Sequence, residues 1–568
     1  MKKLVPVVVV AGLAVAVAAG LKARAADDDH GRFHFVPDSI VLSRSVYVGN
    51  ADTVTIGENL PPGCAGGANG SSNVVVPTIC GGSITVNVPC GIATDNGEFP
   101  NLNDSHNVWN NAASDGSLGI TSPIFLDNLT EDGWYLGTLP IPTNRIVTSF
   151  SSKSELALNR SVDGKSLTFM GYHGGPGCGG GPVSPTAVNL IDVSGSNTPA
   201  VCDPTNPVIS NTPNTPNVPT AYYRAVAEVD AEGHLTISDG NAYSGDNGRA
   251  AMKGANGVYY MAGNDNSGNL PKKQMLSTQI GIDLAISTGA ELLTPGQTPP
   301  VPPNIGMIGR LQFGSDKPGK DTNFRGLTIF NNTLYVTKGS GGNGVNTVYQ
   351  AGTPGTLPTG SATDLAAVPL NIPSGFPNTT DSTNTNFPFG MFFANATTLY
   401  VCDERDGTLV PNQTINGQTN VADTQSLATA GLQKRVNQNG TWTMIYVIQA
   451  GLNIGVPYGV NNYPASLSPA TGGCRNIAGR VNRDGTVTIW AITSTLSTNG
   501  DQGADPNKLV KVRDVISATS LATGDGDNDR DDRLDVFRTI RTARAGEVFR
   551  GVALAPTGDH DGFWRDHH

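Results

Sequence analysis

The chain has 568 residues, including 70 Gly and 38 Pro; only 15% are charged, and the formal net charge is −11. So few Lys, Glu and Arg exclude a long coiled coil and a charge-driven disordered chain, while the acidic balance excludes a general nucleic-acid binder. The apolar share of 38%, taken with Gly, suffices for a core.

Lys2 and Lys3 precede an apolar run from Leu4 to Leu21, and Ala23-Arg24-Ala25 follows. This is the pattern of a secretory signal peptide over residues 1–25, cleaved after Ala25 or Ala26. A retained anchor fits less well, because the small-residue site stands directly before Asp27-Asp28-Asp29. No later segment approaches the ~18 apolar residues of a membrane span. The mature chain, 26–568, is therefore expected to be secreted, periplasmic or extracellular, and monomeric. Loss of four cations (Lys2, Lys3, Lys22, Arg24) takes its charge from −11 to −15.

Seven cysteines follow: Cys64, Cys80, Cys90, Cys178, Cys202, Cys402 and Cys474. In an oxidising compartment most should pair. Their spacing suggests one bridge within Cys64, Cys80 and Cys90, a second from Cys178 to Cys202 and a third from Cys402 to Cys474, with one thiol left over. No Cys-x-x-Cys pair points to a metal cluster.

Short alternating runs between Gly, Asn and Asp predict a nearly all-β chain. Within it a unit recurs: an entry turn, a small-residue strand, a tight turn, then a strand ending in aromatic or β-branched residues. The copies run over 154–172, 247–264, 323–338, 387–403 and 474–493, and further strand pairs follow, as at 224–238 and 431–448. Four antiparallel strands repeated about an axis make a β-propeller blade. The repeat length of about 75 to 90 residues exceeds that of compact propellers by Pro-rich excursions such as 202–220 and 294–304.

The last piece, Phe549 to Pro556, repeats the Phe324-Arg325-Gly326 opening but has no strands after it. Its partners are expected at the other end of the chain, at 39–48, 122–129 and 134–140. The expectation is one six-bladed propeller domain over 26–568, closed by strands from both termini, with seven blades as the alternative.

The strings SRSVYVG, TSPIFLDNLT, FSSKSELALNRSVDGKSLTFMGY, AYSGDNGRAA and FRGLTIFNNTLYV resemble a group of uncharacterised bacterial secreted β-propeller-like proteins, over essentially the whole mature chain. The resemblance implies the fold and says nothing of chemistry. The Cys178 insertion and the segment from Cys64 to Cys90 depart from the group's plain form.

Aligning the inner-strand openings puts Arg249, Arg325, Arg475 and Arg550 at one position, with Glu155 and Phe389 in the other two copies. Around one channel mouth, four guanidinium groups would attract carboxylate, sulfate or phosphate, because each offers paired donors. The competing structural reading pairs each Arg with local acids such as Asp246, Asp321, Glu547 and Glu155. Loops on the same face present His173, Tyr172, Asp403 and Glu404. His173 titrates nearest neutrality, Asp403 or Glu404 would act if desolvated, and Tyr172 would act if neighbouring Arg lowered its pKa.

Asp525, Asp527, Asp529 and Asp531 alternate as in a Ca²⁺ loop, but Arg530 and Val536 stand where an EF-hand needs Gly and Glu. A structural Ca²⁺ site competes with a solvated acidic turn. Both termini carry His and Asp, from Asp27 to His34 and from Asp559 to His568. Mobile tails explain these better than zinc or copper binding. No Gly-x-Ser-x-Gly, Walker, dinucleotide or His-Glu-x-x-His motif occurs.

Three functions follow: binding of an anionic small molecule, an acidic polysaccharide or a cell-surface partner at the Arg mouth; a lyase or hydrolase on an acidic glycan or ester; or a structural envelope or matrix protein. Fold alone does not choose among them.

Overall fold

The computed structural model describes most of residues 33–47, 121–173, 224–264, 324–404, 429–496, 505–522 and 533–558, together with the backbone of short strands between them. The regular secondary structure of the described residues is nearly all strand, arranged as a β-propeller. No helix among the described residues is long and apolar enough to cross a membrane.

Five blades are built from contiguous stretches of chain, one fewer than the six expected. The first contains Ile146–Ser149, Ser166–His173, Arg224–Asp230 and Leu235–Gly240. Gly248–Lys253, Val258–Gly263, Ile282–Ile286 and Gly306–Met307 form the second. The third contains Phe324–Phe330, Thr333–Lys338, Thr347–Ala351 and Pro369–Asn371. Pro388–Asn395, Thr398–Asp403, Gly431–Gln438 and Thr441–Ile448 form the fourth, and Ala470–Val481, Thr486–Leu496, Lys508–Val515 and Arg538–Thr542 the fifth.

One further four-stranded sheet joins the chain ends. Glu547–Leu554 pairs with Ile40–Val46, which pairs with Ile124–Leu129, which pairs with Tyr135–Pro140. These are the partners expected for the orphan C-terminal strand. Pairing them satisfies backbone groups that an open edge would leave exposed.

The turns explain why the hairpins close where they do. Between the first two strands of the third blade, Asn331 and Asn332 both take positive φ (45° and 55°). Asn439 and Gly440 in the fourth blade do the same (54° and 86°). Two successive left-handed residues make the turn whose twist matches paired strands, and Asn and Gly tolerate it best.

The apolar core is divided among the blade boundaries. Tyr260, Phe324 and Tyr349 of the second and third blades and Phe389 of the fourth fill one cluster. Tyr400, Cys402, Cys474, Val487 and Phe537 fill another between the fourth and fifth, where the Cys402–Cys474 disulfide ties neighbouring blades together. That pairing was expected from spacing; the other five cysteines lie outside the described residues.

Candidate functional site

Each arginine predicted at the channel sits where its inner strand is locally irregular. The register shifts between Gly248 and Ala250, so Arg249 is the extra residue. Shifts between Phe324 and Leu327, between Pro388 and Met391, and between Cys474 and Ile477 place Arg325, Phe389 and Arg475 on bulges too. In the closing sheet, Ser43 faces Gly551 while Arg44 faces Phe549, which leaves Arg550 extra. A bulge re-aims one side chain without ending the strand. In the first blade Glu155 falls in a complete break between Ile146–Ser149 and Asn159–Arg160, both of which pair with Ser166–His173.

The residue after the bulged one is often Gly, for a steric reason. A Cβ on Gly326 would lie 2.3 Å from the Phe389 carbonyl oxygen, one on Gly390 2.5 Å from that of Arg475, and one on Gly551 2.3 Å from the Leu158 backbone nitrogen. Neighbouring inner strands touch through backbone here, which draws the charged side chains into one layer.

In that layer the four arginine residues are 3–5% exposed. Arg475 Nε donates to Glu404 Oε2 at 2.9 Å, and Arg325 Nε lies 3.8 Å from Glu404 Oε1. Arg325 also donates to Ser154, near the first blade, and Arg550 to the Phe150 carbonyl and to Ser45 Oγ at 3.1 Å. Arg249 donates to the Phe324 carbonyl at 2.9 Å and to Asn247 Oδ1 at 3.2 Å. Glu155 receives Thr148 Oγ1 at 2.8 Å, the Ser149 amide at 3.0 Å, Asn247 Nδ2 at 3.2 Å and Tyr172 Oη at 2.5 Å. These contacts gather into a network of Arg249, Asn247, Glu155 and Tyr172, a second group of Arg325, Arg475 and Ser154 about Glu404, and a third of Arg550 with Ser45 and the Phe150 carbonyl. The acid shared by two arginines is Glu404, whereas Glu547 pairs instead with Arg44 at 3.1 Å.

The catalytic candidates separate. Tyr172 is buried in the network, under the Arg224 guanidinium at 5.1 Å. Asp403 is buried one residue before Glu404; its Oδ2 accepts the Phe387 amide and Gln433 Nε2, both at 3.0 Å. Beside it, burial pulls Arg435 down to about 10, which Asp403 opposes. The His173 backbone pairs with Ile146 at the end of its strand, and its side chain lies outside the described residues. Asp525, Asp527, Asp529 and Asp531, and the His-rich termini other than His34, lie outside them as well. Asp230, Glu232 and His234 cluster in a hairpin turn, where Asp230 caps the Glu232 and His234 amides at 3.0 and 2.8 Å.

Sequence reasoning did not anticipate an apolar chamber along the same channel. Three residues beyond the bulged position, about 10 Å along a strand, the inner strands present Met252, Thr328, Phe392, Ala478 and Ala553, with Leu158 in the first blade. All six line a cavity of about 210 Å³. Two of its polar side chains are committed to protein: Asn159 Nδ2 donates to the Ala251 carbonyl at 3.0 Å, and Arg160 Nε to that of Gly164 at 3.0 Å. Buried Asp505, near Arg475, was also missed. Burial pushes its carboxyl up to about 8, although Tyr463 Oη donates to it at 2.6 Å and Arg475 opposes the rise.

No family model matches the chain, and no curated protein does. Among solved structures it is similar to a crystal structure of glucose dehydrogenase, with 11% identity over 66% of this chain and 93% of that one and a TM-score of 0.27. It is also similar to an S. cerevisiae structure of dbp5 bound to nup159 and gle1, with 9% identity over 71% and 92% and a TM-score of 0.25. Likenesses this slight carry no functional argument.

Proposed function

We propose that this is a secreted propeller, its closing sheet serving as a sixth blade, that binds an anionic ligand at the arginine layer of its channel. The observation carrying this reading is the repeated bulge: four separate strands each aim a guanidinium into one layer. Among the described residues, Glu155 and Glu404 are hydrogen-bonded or ion-paired there, while Asp246 and Asp321 lie outside them. In a low-dielectric layer, guanidinium groups gathered in this way act strongly on an approaching anion. The apolar chamber favours a ligand carrying an apolar group with its anion over a uniformly polar polysaccharide. The Cys402–Cys474 disulfide supports an oxidising compartment and hence export.

The test is calorimetric titration of the mature chain with octanoate, inorganic phosphate and an oligouronate at low salt. Binding weakened at least tenfold in Arg249→Gln supports the site; equal binding by that variant, or none by wild type, overturns it. A second reading, a lyase or hydrolase on an acidic glycan or ester, is favoured by the 2.5 Å contact of Tyr172 Oη with Glu155, a route for a proton beside the arginines. Turnover of uronate polymers lost in Tyr172→Phe or His173→Ala would support it, and absence of turnover would end it. For Asp525, Asp527, Asp529 and Asp531 the proposal is a structural Ca²⁺. A melting temperature lowered by chelator and restored by Ca²⁺ is expected, and no response would refute it.

A further inference from the structure

A second pocket lies on the outer strands of the fourth blade, away from the inner strands that carry the arginine layer, and one of its walls is a buried cation. Arg435 on Gly431–Gln438 stands directly opposite Met444 on Thr441–Ile448, and strand alternation puts Gln433 on the same face. Only 5% of Arg435 is exposed. Its Nε and Nη2 both donate to Gln433 Oε1, at 3.1 and 2.9 Å, and Nη2 approaches Met444 Sδ at 3.9 Å. Gln433 is held in that orientation, because its Nε2 donates to Asp403 Oδ2 at 3.0 Å and to the Thr429 carbonyl at 3.3 Å.

Arg435 thus receives a neutral amide oxygen and a thioether sulfur, both weaker acceptors than a carboxylate. Among the described residues its Nη1 meets no acceptor. Burial lowers the guanidinium to about 10, with Asp403 opposing, so it remains a cation at neutral pH.

The segment after the last strand of the third blade builds the facing wall. The Ser374 carbonyl accepts the Trp442 amide at 2.8 Å. Gly375, at a φ of 90°, lies so close to the Trp442 carbonyl that a Cβ there would collide with it. This backbone contact seats Phe376 against Arg435, whose guanidinium carbon is 4.4 Å from the ring centroid. Stacking on the ring fixes the guanidinium plane, and Gln433 occupies one of its edges. An open cavity of about 620 Å³ adjoins it, lined by Arg435, Phe376, Trp442, Thr443 and Met444 among others. Of the described residues around that cavity, Arg435 is the one charged side chain.

A single buried cation with a donor edge on a cavity matches a monoanion. Carboxylate fits it best, being planar, singly charged and able to accept two parallel N–H bonds. A phosphate dianion would bring a second charge that no described side chain on these walls offsets. Phe376, Trp442 and Met444 supply apolar surface suited to a flat ring. We propose that this pocket binds a small aromatic carboxylate, its carboxylate taken by Nη1 and Nη2 of Arg435 and its ring laid against Trp442 and Met444. Binding displaces the Met444 sulfur from Nη2. The site is independent of the anion site at the arginine layer.

The experiment titrates benzoate into the full mature chain, isotope-labelled at its methionine methyls, and reads the Met444 resonance, assigned by its absence in Met444→Leu. A saturable shift is expected in wild type. Affinity should fall at least tenfold in Arg435→Gln, which removes a charged partner, and stay unchanged in Arg249→Gln. Should Arg435→Gln fail to fold, Thr443→Glu, at an exposed position on the pocket wall, puts a carboxylate beside Arg435 and should weaken benzoate as much. No saturable shift in wild type, or undiminished affinity in Arg435→Gln or Thr443→Glu, overturns the proposal. Affinity lost in Arg249→Gln does so too, assigning the response to the arginine layer. Equal affinity for benzyl alcohol, or tighter binding of inorganic phosphate, overturns the ligand class. Asp381, in the adjoining segment, lies outside the described residues; binding seen only in Asp381→Asn would overturn the proposal by giving the pocket to the chain's own acid.

Discussion

Arg475 donates to Glu404 at 2.9 Å across the boundary of the fifth and fourth blades, and the other oxygen of that carboxylate faces Arg325 at 3.8 Å. One acid thus serves inner strands on both sides of its own blade. Replacing Glu404 with Gln leaves two buried guanidinium groups without that charge, and breaking a buried pair from one side typically costs about 3–5 kcal/mol. Chemical denaturation of Glu404→Gln should show a loss of that size. A loss under about 1 kcal/mol would mean that other groups neutralise the layer.

The backbone contacts between inner strands predict a contrast between two glycines. A Cβ on Gly390 would stand 2.5 Å from the Arg475 carbonyl oxygen and 2.9 Å from the Ile477 nitrogen, whereas one on Gly459 meets nothing within 4 Å. Gly390→Ala should therefore destabilise by about 1–3 kcal/mol or more, as overpacking does. Gly459→Ala should be close to neutral. Equal melting temperatures for the two variants would contradict the close approach of these strands.

Cys402 and Cys474, 72 residues apart, join the fourth and fifth blades. Removing such a bridge relaxes a long loop in the unfolded chain, worth roughly 2–4 kcal/mol. The double variant Cys402→Ala with Cys474→Ala should lose that amount and become insensitive to reductant at this site. Unchanged stability would show that the bridge contributes nothing to holding the blades.

Asp505 gives a pH dependence of definite sign. Its carboxyl, raised by burial to about 8 from 3.8, stays protonated in the folded chain where the unfolded chain has released its proton. Its contribution is complete below about pH 4 and lost as pH climbs through about 8. Asp505→Asn should reduce the decline of unfolding free energy between pH 5 and 8.5. A slope identical to wild type would show that Asp505 ionises normally.

Much of the candidate site was legible because a bulge recurring at one place in a repeat leaves a recurring residue. Phe324-Arg325-Gly326 and Phe549-Arg550-Gly551 carry the bulged cation and the glycine that lets the next strand approach. The partners of those arginines were not legible. Glu404 stood in sequence as one acid among several beside Asp403, and only packing separates them: Asp403 holds its own blade while Glu404 reaches across two boundaries. The chamber was hidden for a related reason, since Leu158, Met252, Thr328, Phe392, Ala478 and Ala553 share no residue type, only a position along the channel.

The sequence by itself determined the all-β class, the repeating hairpins with their Asn and Gly turns, the pairing of the last strand with the first, and the common strand position of the four arginines. These follow from local rules of period, turn conformation and covalent order. The tertiary structure alone decided which polar groups are buried together: Arg325 and Arg475 on Glu404, Tyr172 on Glu155, and Lys434 on Asp514. A charge's environment depends on strands hundreds of residues away. The low charge content is thereby concentrated, because the burial that makes a charge costly also makes its partner specific.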